Sequence, residues 1–462
     1  MKLDFSFCRF QRIVVLLTCV VIAATLGAAD RKPNVILIMA DDFGYEAVTA
    51  NGGESYQTPH LDRLAATGMR FEQCHVQPLC TPTRAQLMTG IYNVRNYIEF
   101  GLLDPKATTF GHLLKQAGYA TGICGKWQLG LAKGLPQHFG FDESYLWQHM
   151  RTTPDLQPRY ANPGIEHNSE PKDFNAGEYG PKVVNDFALD FVTRHRERPF
   201  FLYYPMILTH DPFQPTPDSS NWDAKAKSEQ ANRDVKHFAD MTAYMDKMVG
   251  RLVAKLDELG LRENTVIMFL GDNGTSPAVT SRFKGTAYQG GKGTGTARGT
   301  RVPFIANWPG RIPAGRVNTD LIASVDYLPT LCEIAGTKVP PALRIDGQSF
   351  LPQLLGKKGN PRESMYLWYA RNGGPTATFE FAQSTTHKLH RDGKFYDLTT
   401  DPFEEKPLTV AKLSGPAVAE AKKLQSVLDQ YANARPTHLA QHLSAARKAE
   451  GQKKGNQSKS QE

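Results

Sequence analysis

Three stretches of the chain share one pattern, a short apolar run that ends abruptly in polar residues. Asn34–Ala40 gives way to Asp41-Asp42, residues 119–124 to Gly125-Lys126, and residues 265–270 to Gly271-Asp272-Asn273. A fourth run, 200–204, is followed within a few residues by His210. Continuous apolar runs without alternation predict strands buried on both faces. Between them, residues 235–259 carry Phe238, Met241, Met245, Met248, Leu252 and Leu256 on one helical stripe, with Gly260 just past the end. A second helix is predicted over 109–117, stopped by Gly118. Strands alternating with helices predict an α/β fold, a mostly parallel sheet sandwiched by helices. In such sheets ligands bind beyond the carboxyl ends of the strands. The polar clusters are therefore predicted to face one cleft.

After Gly336 the texture changes. Residues 364–369 and 393–398 read as short antiparallel strands, and a helix follows Gly415-Pro416 with Val418, Leu424, Leu428 and Tyr431 on one face. The predicted organisation is a larger α/β domain over 30–340 and a smaller C-terminal α+β, antiparallel-sheet subdomain over 341–436. The polar tail over 437–462 is expected to be disordered. At the other end Lys2, Arg9 and Arg12 precede an apolar run over 13–26, followed by Gly27-Ala28-Ala29-Asp30. That order describes a signal peptide over 1–29, and the run is short for a membrane-spanning helix. The expectation is a secreted or periplasmic protein without stable membrane insertion.

Charge and cysteine usage narrow the picture. The net charge is +8, but the N-terminal segment carries +2 and the tail from Thr437 +3, which leaves about +3 for the body. Nothing in that balance calls for nucleic acid. Cleavage would leave four cysteines, Cys74, Cys80, Cys124 and Cys332, too few for a disulfide scaffold in a chain of 462 residues. Cys124 and Cys332 lie in apolar surroundings and read as small core residues.

Asp41-Asp42 and Asp272-Asn273 place oxygen donors at two strand ends. Such a set suits a hard cation, Ca²⁺ or Mg²⁺, rather than zinc; the alternative is that each pair caps the following turn. Cys80-Thr81-Pro82-Thr83-Arg84 is predicted to open a helix, where anions are favoured and a thiol pKa is depressed. Read alone, Cys80 is either a thiol nucleophile paired with His210 or a buried loop cysteine.

Taken together these segments resemble the sulfatase family of the alkaline-phosphatase superfamily, across nearly the whole mature length. The resemblance rests on residues 33–45, Thr58-Pro59-His60-Leu61-Asp62-Arg63-Leu64-Ala65, the Cys-x-Pro-x-Arg signature at 80–84, residues 118–130, 199–210 and 249–274, Arg301-Val302-Pro303, and Phe395-Tyr396-Asp397-Leu398. It implies that Cys80 is oxidised by a formylglycine-generating enzyme to 3-oxoalanine (formylglycine), whose hydrate attacks the sulfur of a sulfated carbohydrate or small aryl sulfate ester. It further implies Ca²⁺ (Mg²⁺ also fitting) bound by Asp41, Asp42, Asp272, Asn273 and residue 80. Arg84 would steady the hydrate, Lys126 bind sulfate, and His210 protonate the leaving oxygen, where general acid catalysis helps most. Two lysines match the family's last one: Lys292, nine residues before Arg301, and Lys284, which opens Lys-Gly-Thr-Ala-Tyr-Gln-Gly-Gly. Spacing favours Lys292.

One position departs from the family. Gln128 stands where a histidine is usual, and glutamine cannot act as a base near neutral pH. Two other readings therefore stay open beside sulfate-ester hydrolysis: a phosphate or phosphonate esterase on the same fold, and a catalytically impaired homologue that binds sulfated glycans. Substrate contacts are expected from the irregular segments 151–180 and 211–232.

Overall fold

The computed structural model describes residues 31–439 except 148, 153, 154, 227, 229–232 and 375. The expected signal peptide and the tail beyond residue 439 lie outside the described residues. Residues 437–439 are helical and Leu439 is buried, so the packed body runs past the boundary drawn at Thr437.

Five parallel strands make the centre of a ten-stranded sheet, in the order Thr265–Gly271, Asn34–Ala40, Phe200–Pro205, Ala120–Lys126 and Glu143–Trp147. On one flank Phe304–Asn307 runs antiparallel between Thr265–Gly271 and Met69–His75, and Arg316–Ala323 then pairs parallel with Met69–His75. On the other flank Gly164–His167 and Glu170–Asp173 add two antiparallel strands. The segment read as irregular over 151–180 thus contains two strands. Glu170–Asp173 is exposed at every position, so it carries no apolar signal to read.

The unbroken apolar runs have a direct cause. Val35, Leu37 and Met39 pack into one core, and Ile36, Ile38 and Ala40 into another across the sheet. Each of the Val, Leu, Ile and Met side chains contributes about 1.5–3 kcal/mol when fully buried. The stripe on His237–Glu258 is wholly buried. From that helix the buried Asp246 accepts from His60 N at 2.9 Å and Leu61 N at 2.8 Å, satisfying two free N–H groups at the start of helix Pro59–Ala66.

Register brings the strand ends to one level. Ala40 lies opposite Gly271, and Met39 opposite Pro205. The loops that follow are tied together: Asp272 N donates to Ala40 O at 2.9 Å, Asp41 N to Leu208 O at 2.8 Å, and Thr209 N to Asp41 O at 2.7 Å. A separate five-stranded antiparallel sheet follows, from Met365–Tyr369 to Leu408–Thr409. Leu367, Phe381, Leu389 and Phe395 of that sheet share a core with Leu424 and Leu428 of helix Pro416–Tyr431. Among the described residues no helix is long and apolar enough to cross a membrane.

Candidate active site

Cys80 opens helix Cys80–Thr89 after an extended Leu79, and Pro82 falls in the first turn, where its missing N–H is no loss. The whole helix is buried. Thr83 Oγ1 donates to Asp272 O at 2.6 Å, which joins this first turn to the neighbouring strand end. Burial pushes the Cys80 thiol up, and the nearby Lys126 charge only partly opposes it. The depressed thiol expected from the helix N-terminus is therefore not found. Complete desolvation outweighs the helix terminus, and an unmodified thiolate nucleophile loses its basis.

Three cations and three carboxylates surround this turn. Arg84 Nη2 donates to Asp272 Oδ2 at 2.9 Å, and Nη1 to Lys126 O at 3.1 Å. Lys126 Nζ donates to Asp41 Oδ2 at 2.7 Å, and Lys292 Nζ to Asp42 Oδ2 at 2.6 Å. His210 Nε2 lies 3.1 Å from Lys292 Nζ and 3.8 Å from Asp42 Oδ2. Asp42 N donates to Asp272 Oδ1 at 3.1 Å, and Asn273 Nδ2 to Asp42 Oδ1 at 2.9 Å. Burial raises both Asp41 and Asp272, but Lys126 and further cations carry Asp41 well below the usual carboxylate range. Asp272 stays raised, by burial and then by the charge of Asp41, despite Arg84.

Lys126 reaches this cluster because Gly125 lets its strand pass close to the next. A Cβ on Gly125, whose φ is +120°, would stand 1.9 Å from Pro205 O. Gln128 takes a left-handed backbone, φ 56°, uncommon for a residue with a side chain. Its Oε1 is buried and has no hydrogen-bond partner. Lys292, not Lys284, belongs to the cluster. Lys284 sits at the turn between the paired strands Thr280–Phe283 and Thr286–Gln289 with its Nζ 5.4 Å from the Phe283 ring.

The sulfatase family model matches residues 33–337, and a model described as N-sulphoglucosamine sulphohydrolase, C-terminal, matches 296–430. The chain belongs to the sulfatase family. It is 32% identical to arylsulfatase A of Homo sapiens, over 88% of this chain and 88% of that one. It is 33% identical to N-acetylgalactosamine-6-sulfatase of Canis lupus familiaris, over 76% of this chain and 72% of that one. A solved sulfatase of Pseudoalteromonas sp., PsFucS1, superposes with a TM-score of 0.70 at 25% identity, covering 92% of this chain and 95% of that one. The protein is accordingly a sulfuric ester hydrolase of alkaline-phosphatase-like fold.

In this sulfatase the donor set fits a hard cation. Asp41, Asp42 and His210 each bring a potential ligand atom within 4.8 Å of the others. Asp41 Oδ1 and Asn273 Oδ1 are buried acceptors with no hydrogen-bond partner. Such atoms are costly unless something binds them. Asp272 differs, since both its oxygens accept hydrogen bonds, from Asp42 N and from Arg84.

Sequence reasoning missed two contributors. Arg159 lies over the Trp147 ring at 4.4 Å and brings Nη1 to 3.0 Å from His210 Nδ1. Tyr160 donates its hydroxyl proton to His210 O. Both come from the segment 151–180 expected to meet substrate, but nothing in its local pattern marks these two residues. All four cysteines of the described body are buried and free, Cys124 and Cys332 in the core as expected.

Proposed function

We propose that this sulfatase hydrolyses a sulfate ester of a carbohydrate at residue 80, after conversion of Cys80 to formylglycine. The observation that carries the reading is the convergence of Arg84, Lys126 and Lys292, each paired to a carboxylate, around the buried first turn that begins at Cys80. Buried ammonium and guanidinium donors converging in a water-poor pocket suit a tetrahedral anion. The carbohydrate class is supported by the similarity to N-acetylgalactosamine-6-sulfatase. The N-terminal pattern supports action outside the cytoplasm, as a secreted or periplasmic enzyme.

Formylglycine would supply, as its hydrate, the oxygen nucleophile that a buried, protonated thiol does not. Ca²⁺ or Mg²⁺ would be held by Asp41, Asp42 and Asn273, with Asp272 and residue 80 completing the set, and would offset charge at the sulfate. Lys126 and Lys292 bind the sulfate oxygens, since each ammonium has donors beyond its carboxylate contact. Arg84, fixed by Asp272 and by Lys126 O, holds residue 80 from one turn along the helix. His210 gives its proton to the leaving oxygen. Gln128 orients by hydrogen bonding alone, so a proton leaving residue 80 must go elsewhere.

Mass spectrometry of the peptide spanning residue 80, from protein co-produced with a formylglycine-generating enzyme, should show the aldehyde. Unconverted cysteine under those conditions overturns the mechanism. Aryl sulfate should be turned over faster than an aryl phosphate diester, and the reverse preference would favour the phosphoesterase. Replacing Gln128 by His should raise kcat if proton departure limits turnover.

A further inference from the structure

We propose that a cavity opening from Lys126 and Gln128 receives the sugar ring that carries the ester, and selects a ring with no second anionic group. This rests on the sulfate-ester reading above. The cavity has a volume of about 450 Å³, and its lining includes Glu99, Leu102, Lys126, Gln128, Trp147 and His149. That lies within the roughly 300–1,000 Å³ of small-molecule sites. It shares Lys126 with the cation–carboxylate cluster already described.

Unpartnered polar atoms belong to four of its lining residues. Trp127 Nε1, Gln128 Oε1, Trp147 Nε1 and His149 Nδ1 have no hydrogen-bond partner. One such atom in a folded protein asks for an explanation; four around one cavity point to a ligand rich in hydroxyl groups. A sugar hydroxyl accepts and donates, so it can meet the amide acceptor, the indole donors and the imidazole nitrogen. Indole and aliphatic surface beside them suits the C–H face of the ring.

His149 is held for this task. Its N–H donates to the buried Glu166, which Arg151 approaches at 3.2 Å. Its Nε2 lies 3.2 Å from Ser169 Oγ. Ser169 Oγ also accepts from Gly134 N at 2.9 Å, which anchors it. Nδ1 is left without a partner in either tautomer, as a donor or as an acceptor. Burial pushes the His149 pKa down to about 4, so the ring is neutral at neutral pH.

Selectivity follows from charge. Lys126 is the cation of the lining and is committed to the sulfate, while Glu99 is its one acid. Arg84, Arg151, Arg159 and Arg371 each touch a lining residue or its support, but none of them is among the lining residues. A second sulfate or a carboxylate on the ring would meet Glu99 without a free cation.

The test compares kcat/KM on three kinds of substrate: an aryl sulfate, a panel of monosulfated hexoses and N-acetylhexosamines, and glucosamine 2-N,6-O-disulfate. The wild type should favour the best monosulfated sugar over the disulfate by about tenfold or more. His149→Ala should lose about 10- to 100-fold on that sugar through KM and stay within about twofold on the aryl sulfate, which has no hydroxyls to bind. His149→Asn, which restores a hydrogen-bonding group, should recover part of the loss, with melting curves confirming that both variants fold. Glu99→Gln should narrow the discrimination against the disulfate about fivefold. Equal losses on sugar and aryl substrates, turnover of the aryl sulfate but of no panel sugar, or a disulfate handled as well as the best monosulfate would overturn the proposal. If no sulfate ester is cleaved by protein with residue 80 converted, the sulfate-ester reading fails instead. Calorimetric binding of the same sugars to the same variants then decides the cavity's role by the same pattern.

Discussion

Lys292 and Lys284 sit eight residues apart in unlike surroundings. The first contacts Asp42 and His210 and is mostly buried, while the second lies on a hairpin turn. Lys292→Ala should lower kcat/KM for a sulfate ester about 10²-fold, the order expected for one charge-stabilising donor. Lys284→Ala should stay within about twofold; a larger loss there would reverse the assignment. Glu46 poses a different question, because its carboxyl is fully buried. Burial raises its pKa to about 7, with Thr275 and Arg298 only partly opposing. An acid whose folded pKa is raised binds its proton more tightly in the native state. Stability is therefore full below the unfolded value near 4.5, falls as pH rises from there to 7, and stays reduced above it. The penalty is about 3 kcal/mol at 1.36 kcal/mol per pKa unit. Glu46→Gln should remove most of it, raising denaturation midpoints at pH 8 and converging on wild type near pH 4.5. A constant difference across that range would show that Glu46 does not titrate.

The element that presents Lys292 is a glycine-rich loop, and such a loop does not order itself. It is held from the C-terminal sheet. Lys388 Nζ donates to Gly295 O at 3.0 Å and to both oxygens of Glu404 at 2.7 Å, and Ala297 N donates to Glu404 Oε1 at 2.7 Å. Lys388→Met would leave Glu404 buried without its counter-ion, at a cost of about 3–5 kcal/mol. Lys388→Met with Glu404→Gln should recover much of that in urea denaturation while KM for the sulfate ester stays raised, because the Gly295 contact is still missing. An unchanged KM would separate this clamp from the site. None of it was legible in the sequence, since Lys388 and Glu404 carry no local signal and meet the loop across about a hundred residues. Four of the five central strands were legible because their apolar runs alternate between two cores; Glu143–Trp147, with Glu143 and Ser144 at its start, was not read as a strand. The antiparallel course of Phe304–Asn307 was not, because four buried residues give no information on direction. Among the site residues, Cys80, Lys126 and His210 could be read through strand ends and a five-residue signature. Arg159, Tyr160 and His149 could not, for their roles come from long-range contacts.

Across the whole molecule, the fold brings Asp41, Asp42 and Asp272 together with Arg84, Lys126 and Lys292, so the cluster is formally balanced as it stands. A divalent cation would add two positive charges, and a sulfate monoester would return one negative. Each ligand then improves the field for the other, and binding linkage requires the effect to be reciprocal. Ca²⁺ at a hundred times its Kd should stabilise chelator-treated protein by about 2.7 kcal/mol, read as a rise in Tm, and sulfate alone should do less. The two together should exceed the sum, and calorimetry should find Ca²⁺ binding tighter in the presence of sulfate. Asp41→Asn should abolish the Ca²⁺ shift and, through linkage, weaken the sulfate shift, even though losing that carboxylate leaves Lys126 freer to meet the anion. A sulfate response strengthened by Asp41→Asn would mean that lysine availability, rather than a shared cation, governs anion binding in the cleft.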